Sequence, residues 1–163
     1  SNRGKVVIMI HVVVGLPGAV KTTYVKGKGK YNLTYDLDYL AAALSLDHSD
    51  NNIIYDDCVD IYYKARSVAN KLLEPTLRLF SELNSDTYII RCAPSKEEMD
   101  LFDKFKDNID FIFIDTDRDV CMNRRGMSEF DINPWIARLF ITMKEIGSRG
   151  YNLKSIKNTI EKW

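Results

Sequence analysis

A doubly wound α/β domain is the fold this sequence predicts, and three observations carry the prediction. Residues 6–14 are an almost unbroken β-branched apolar run, the pattern of a parallel strand covered on both faces. A turn rich in Gly and Pro follows and leads directly into a helix-forming stretch. Beyond it, strand-like and helix-like segments alternate along the chain.

In order, a helix opens at Lys21, and residues 31–38 alternate enough for a second strand that closes on Asp36-Leu37-Asp38. Residues 40–46 form a short Ala/Leu helix, and a polar turn lies at 48–52. A long helix is expected over about 56–83, where Val59, Tyr62, Tyr63, Ala65, Ala69, Leu72 and Leu73 recur at helical spacing. Pro75 should kink or split it. Residues 87–92 are the third strand, and Ser95 with Glu98 forms a capping box for a helix through about 106. Phe111-Ile112-Phe113-Ile114 is the heart of a fourth strand over 109–115. Asp117 should cap a helix reaching Arg125, and Asn133-Pro134 should open the next, with Asn as cap and Pro at the first helical position. Residues 153–163 are expected as a short amphipathic helix.

Length and composition bound the function. One domain over 1–163 suffices to bury a real core, and Ser1-Asn2 reads as an expression remnant. Lys+Arg and Asp+Glu both number 23. That balance leaves no electrostatic footprint for a long duplex. No apolar run reaches the roughly 18 residues of a membrane span, so a cytoplasmic protein is expected. Cys58, Cys92 and Cys121 fit neither a disulfide framework nor a zinc pattern, and His11 and His48 make no metal site.

The chemistry concentrates in Gly15-Leu16-Pro17-Gly18-Ala19-Val20-Lys21-Thr22-Thr23. The pattern G-x-x-x-x-G-K-[ST] cradles nucleotide phosphates on backbone N–H groups, sends a lysine to the β/γ oxygens and holds Mg²⁺ with a hydroxyl. Gly15, Lys21 and Thr22 have the right spacing, but Val20 stands where the second glycine belongs. A β-branched residue disfavours the positive φ that glycine supplies there. Either the loop takes another conformation, or the phosphates sit shifted. Gly15, Gly18, Ala19, Val20, Lys21, Thr22 and Thr23 are the candidate phosphate-binding residues.

This loop, followed by Tyr35-Asp36-Leu37-Asp38-Tyr39-Leu40, resembles the small P-loop kinase group of polynucleotide 5′-kinases, zeta-toxin-type kinases and chloramphenicol phosphotransferase. It is similar also to compact phage-encoded ATP-binding proteins, and the resemblance covers about residues 6–135. It implies a three-layer P-loop NTPase fold with a mainly parallel sheet of about five strands. The fifth would come from Ile53-Ile54-Tyr55 or the C-terminal part. It further implies ATP and Mg²⁺, with a small molecule or nucleotide as acceptor.

Within the resemblance, Asp38 matches the base at the end of the second strand, with Asp36 as alternative. Thr22 and Asp36 would hold Mg²⁺. Arg124 would shield the transferring phosphoryl group, and Arg125 would contact the nucleotide. Arg118 should pair with nearby acids instead. Two features of the group are missing: an arginine soon after Asp38, where the chain reads Tyr39-Leu40-Ala41-Ala42-Ala43, and an acid closing the third strand, which ends Ile90-Arg91-Cys92. Arg66 and Asn70, a helical turn apart, could face the crevice but fit an exposed polar face better. Tyr55, Tyr62 and Tyr63 could stack on a base, though such spacing suits a core. Two functions stay open: a small ATP-dependent kinase, or a degenerate P-loop module that acts through a protein partner. The oligomeric state is not legible.

Overall fold

A computed structural model describes residues 8–28, 31–46 and 56–158. Its elements are β1 (Ile10–Val14), α1 (Lys21–Lys28), β2 (Thr34–Asp36), α2 (Leu37–Ser45), α3 (Asp56–Lys71), α4 (Leu73–Ser81), β3 (Thr87–Ile90), α5 (Lys96–Asp103), β4 (Ile109–Thr116), α6 (Arg118–Arg125), α7 (Glu129–Ser148) and β5 (Leu153–Asn158). The five strands form one parallel sheet in the order β2-β3-β1-β4-β5. The strand order reverses around β1, and the crevice beyond its carboxyl end is where an open α/β sheet binds ligands.

Alternate residues of the strands feed two cores. Ile10, Val12, Tyr35, Ile89 and Phe111 pack on one face against Leu77 of α4 and Met99 and Phe102 of α5. Val13, Ile90, Ile112 and Ile114 pack on the other against Tyr24 and Val25 of α1 and Cys121 of α6. Three layers result. Among the described residues no helix is long and apolar enough to cross a membrane.

Several boundaries depart from the sequence reading. The C-terminal segment expected as a helix is β5, which supplies the fifth strand by pairing with β4 from Phe111↔Leu153 to Thr116↔Asn158. Tertiary pairing overrides a weak local pattern here, and Lys154 and Lys157 keep this edge strand charged. Ile53-Ile54-Tyr55 lies outside the described residues. β2 is shorter than expected because the Asp36 side chain accepts from the Asp38 amide and starts α2 at Leu37. The long helix is split at Leu72. Pro75 has no N–H for the carbonyl four residues back, so it sits in the first turn of α4 instead.

α7 opens at Ser128 rather than Asn133. Ser128 and Asp131 form a reciprocal capping box, and Pro134 is carried inside the helix. Ser95 does cap α5, but the helix ends at Asp103. The Glu98 carboxylate turns away from the cap to make a bidentate pair with Arg91. Asp117 takes the cap position of α6 without a side-chain cap bond.

His11 of β1 is part-buried between two carboxylates. Its Nδ1 lies 2.5 Å from Asp110 Oδ1 of neighbouring β4, and its Nε2 lies 3.6 Å from Asp86 Oδ2. Burial works against the imidazolium, but the Asp110 hydrogen bond and the charges of Asp110 and Asp86 outweigh it and hold its pKa above the usual value. A pKa raised on folding stabilises most below the unfolded value of about 6.5 and fades as pH rises through the folded one. Thermal unfolding should therefore show the native chain losing more of its midpoint between pH 6 and 8 than His11→Gln. Parallel profiles for the two proteins would refute this.

Candidate functional site

The loop between β1 and α1 lies at the carboxyl edge of the sheet, and its small residues are dictated by close packing. A Cβ on Gly15 would stand 2.9 Å from the Ile114 carbonyl oxygen. One on Gly18 would stand 2.8 Å from the Cys121 carbonyl oxygen of α6, and Gly18 also has φ +84°. Val20 has φ +61°. The first of the two alternatives, a reshaped loop, is thus not what occurs at this residue. Val20 enters the left-handed region natural to glycine, at a cost of about 1–3 kcal/mol.

Lys21 is the first residue of α1 and is buried. Its ammonium donates to the Gly15 and Leu16 carbonyls at 2.9 and 2.8 Å and reaches Cys92 Sγ at 3.3 Å. The charge is fixed inside the loop's curve before any ligand arrives. The amides of Gly18 and Val20 donate to no atom of the described residues, and the first-turn amides of α1 have no intrahelical acceptor. Free N–H groups, a helix N-terminus and a fixed ammonium are features that suit a polyphosphate.

Thr22 Oγ1 donates to Asp36 Oδ2 at 3.0 Å, so the two expected metal ligands do meet. A hydroxyl and one carboxylate suit Mg²⁺, which takes few protein ligands and keeps waters and phosphate oxygens. Among the described residues no group of three or more His, Cys, Asp or Glu side chains could hold a metal. Cys92, where the kinase group carries an acid, offers a soft thiol ill-suited to Mg²⁺.

Asp38 is the second residue of α2, more than half exposed, and faces α3. Its Oδ1 accepts from Arg66 Nη1 at 2.6 Å and from the Tyr62 hydroxyl at 3.2 Å. An arginine does therefore meet Asp38, from α3 and not from the sequence that follows it. Tyr35 holds that helix in place by donating to the Ala69 carbonyl at 2.5 Å, and burial pushes the phenol up to about 12. Asn70 accepts from Arg91 Nη1 at 3.2 Å. The pair Arg66 and Asn70, expected on an exposed polar face, has Asn70 exposed and Arg66 half-buried, and there ties α3 to Asp38 and to Arg91 just after β3. Tyr62 belongs to this cluster, Tyr63 is exposed, and Tyr55 lies outside the described residues.

Arg124 donates from Nη1 to the Gly18 carbonyl at 3.1 Å, which brings α6 onto the loop. The Arg125 side chain packs beside Gly18 as well. Arg118 pairs with Glu129 at 3.2 Å, as expected of it. Thr23 faces outward into a second groove with Gly27 and Lys154. Two contacts went unread in the sequence: Cys92 at the Lys21 ammonium, and Arg66 on Asp38. The only signal for the first was the place of Cys92 at the end of the third strand.

No family model matches this chain, and no curated protein matches it. Solved structures do. A chain of the PezAT chromosomal toxin–antitoxin system of Streptococcus pneumoniae superposes with a TM-score of 0.61 at 18% identity, over 96% of this chain and 71% of that one. A candidate kinase from Chloroflexus aurantiacus gives 0.61 at 15% identity, covering 96% and 88%. A sugar kinase from Janibacter sp. HTCC2649 gives 0.55 at 16% identity, covering 91% and 85%. The likeness shows that the chain has the P-loop kinase fold.

Proposed function

We propose that this protein is a small ATP-dependent kinase that transfers the γ-phosphoryl group to a hydroxyl of a small molecule or nucleotide. The observation that carries the reading is the joined constellation of Lys21 inside the loop and Thr22 bonded to Asp36. Lys21 and the loop amides would hold the β/γ-phosphates, with Thr23 and Arg125 at the nucleotide's flank. Thr22 and Asp36 would hold Mg²⁺, which would neutralise phosphate charge. Asp38, steadied by Arg66, takes the proton as the acceptor oxygen forms its bond to γ-phosphorus. The bond from γ-phosphorus to the bridging oxygen breaks, and ADP leaves with the electron pair. Arg124 shields the oxygens of the transferring group.

Val20 and Cys92 favour a second reading, a degenerate module that works through a protein partner. Calorimetric titration with Mg-ATP separates the two. The kinase reading expects binding by the unaltered chain, with Val20→Gly tighter and its thermal midpoint up by about 2–4 °C as strain outweighs the added chain entropy. Binding confined to Val20→Gly assigns the chain to the second reading. In the active protein Asp38→Asn should abolish transfer and spare ATP affinity; unchanged turnover removes Asp38 as the base.

A further inference from the structure

A cavity of about 560 Å³ opens between α1 and the β2–α2 segment, a volume suited to a small organic ligand. Its polar residues are ordered by the fold. Along α1 the lining runs from Thr22 to Lys26, and back along β2 and the residues before it from Asp36 to Asn32. Thr22 and Asp36 are bonded to each other, so they mark one end, and Lys26 and Asn32 mark the other. The first end is where the proposed metal and γ-phosphate meet. The walls between are mostly apolar, Val25, Leu40, Ile90 and the ring of Tyr39, with Thr34 on the β2 side.

The far end carries a charge with no carboxylate partner among the described residues. Among the described residues no carboxylate lies within 4.0 Å of the Lys26 ammonium, which instead stands 5.7 Å from the Tyr39 ring centroid. Four residues of helix rise about 6 Å, the span of one aromatic ring with its substituents. Between the two ends a polyol would find the Thr34 hydroxyl but few other hydrogen-bond partners, and would leave most of its own hydroxyls unpaired.

We propose that this cavity takes the phosphoryl acceptor, and that the acceptor is an anionic alcohol with an apolar, planar body. The hydroxyl lies at the Thr22–Asp36 end, where Asp36, the alternative base, lines the cavity and Asp38 does not; the ring lies against Tyr39 and Leu40, and the carboxylate or phosphate at Lys26. The inference rests on the kinase reading for the word acceptor; the chemistry of the cavity stands apart from it. It separates this chain from the sugar kinase whose fold it shares.

The probe is 4-(hydroxymethyl)benzoate, compared with its neutral amide and with glucose by saturation-transfer NMR and titration. Mg-ATP binding is measured separately on the same protein. The benzoate should bind about three- to fivefold more tightly than the amide, the worth of a partly exposed ion pair. Lys26→Met, at an exposed position, should erase that preference, and Leu40→Trp should fill the cavity and block both probes while Mg-ATP still binds. Equal affinity for benzoate and amide, a preference that survives Lys26→Met, or glucose binding as well as the benzoate would overturn the proposal. Mg-ATP binding without benzoate binding likewise refutes it and leaves the kinase reading intact. Benzoate binding without Mg-ATP binding supports the cavity's chemistry and sinks the kinase reading.

Discussion

Lys21→Met should lower affinity for Mg-ATP by about 10–100-fold, the worth of a charge-assisted hydrogen bond or two to phosphate. Transfer should fall further, by roughly 10²–10³-fold, because a fixed charge aimed at the developing phosphoryl charge contributes most in the transition state. The ammonium is buried and its three protons go to the Gly15 and Leu16 carbonyls and Cys92 Sγ, so the charge is already in place and binding exchanges one of these bonds for a phosphate oxygen. Removing it also leaves those carbonyls without their donor, at a cost of about 1–3 kcal/mol for a buried group. Lys21→Arg should not rescue, since a planar fork does not fit the curve that a compact ammonium fills. Calorimetry with Mg-ATP and the rate of ADP formation measure both effects. Retained affinity in Lys21→Met would remove Lys21 from the phosphate site.

Gly18→Ala should be among the most damaging single-methyl additions in the chain. The new Cβ meets the Cys121 carbonyl oxygen at 2.8 Å, and that oxygen is backbone, held within α6. Overpacking of this kind costs about 1–3 kcal/mol, and the positive φ adds strain of similar size. A loss of about 3 kcal/mol corresponds to a fall of roughly 10 °C in thermal midpoint for a chain of this size. The bond from Arg124 to the Gly18 carbonyl should go with it, loosening α6 from the loop. Gly27→Ala is the matched control. Nothing lies within 4 Å of its Cβ position in α1, and helix propensity should raise stability by up to about 1 kcal/mol. Equal midpoints for the two variants would refute the packing argument.

The sheet's centre was legible because β1 and β4 are buried on both faces and therefore spelled in apolar residues. β2 was placed but read too long and β5 was read as a helix, for a physical reason. A strand of three residues, or one lying at a charged edge, is defined by the neighbour it pairs with and not by its own pattern. The same holds for the site. Gly15, Lys21 and Thr22 act through local geometry and could be read from spacing. Arg66 meets Asp38 across 28 positions, and Lys21 meets Cys92 across 71. Such meetings are made by strand order. Val20 is the intermediate case: the sequence shows the conflict with a left-handed backbone, and only the fold shows that the conflict is accepted.

The strand order has a consequence for how such a chain can change over generations. The groups assigned to phosphate come from the turn after β1, the start of α1 and the end of α6. The groups assigned to the acceptor come mostly from the stretch between Asn32 and Asn70, including the whole of α2. That stretch lies largely in the excursion between β2 and β3, which are adjacent parallel strands, so it leaves at the sheet's carboxyl edge and returns at the amino edge, fixed at both ends by the sheet. An excursion anchored in this way can drift, lengthen or be exchanged while the sheet's central pairings stay untouched. Selection can then retool what is modified without disturbing what supplies the modifying group.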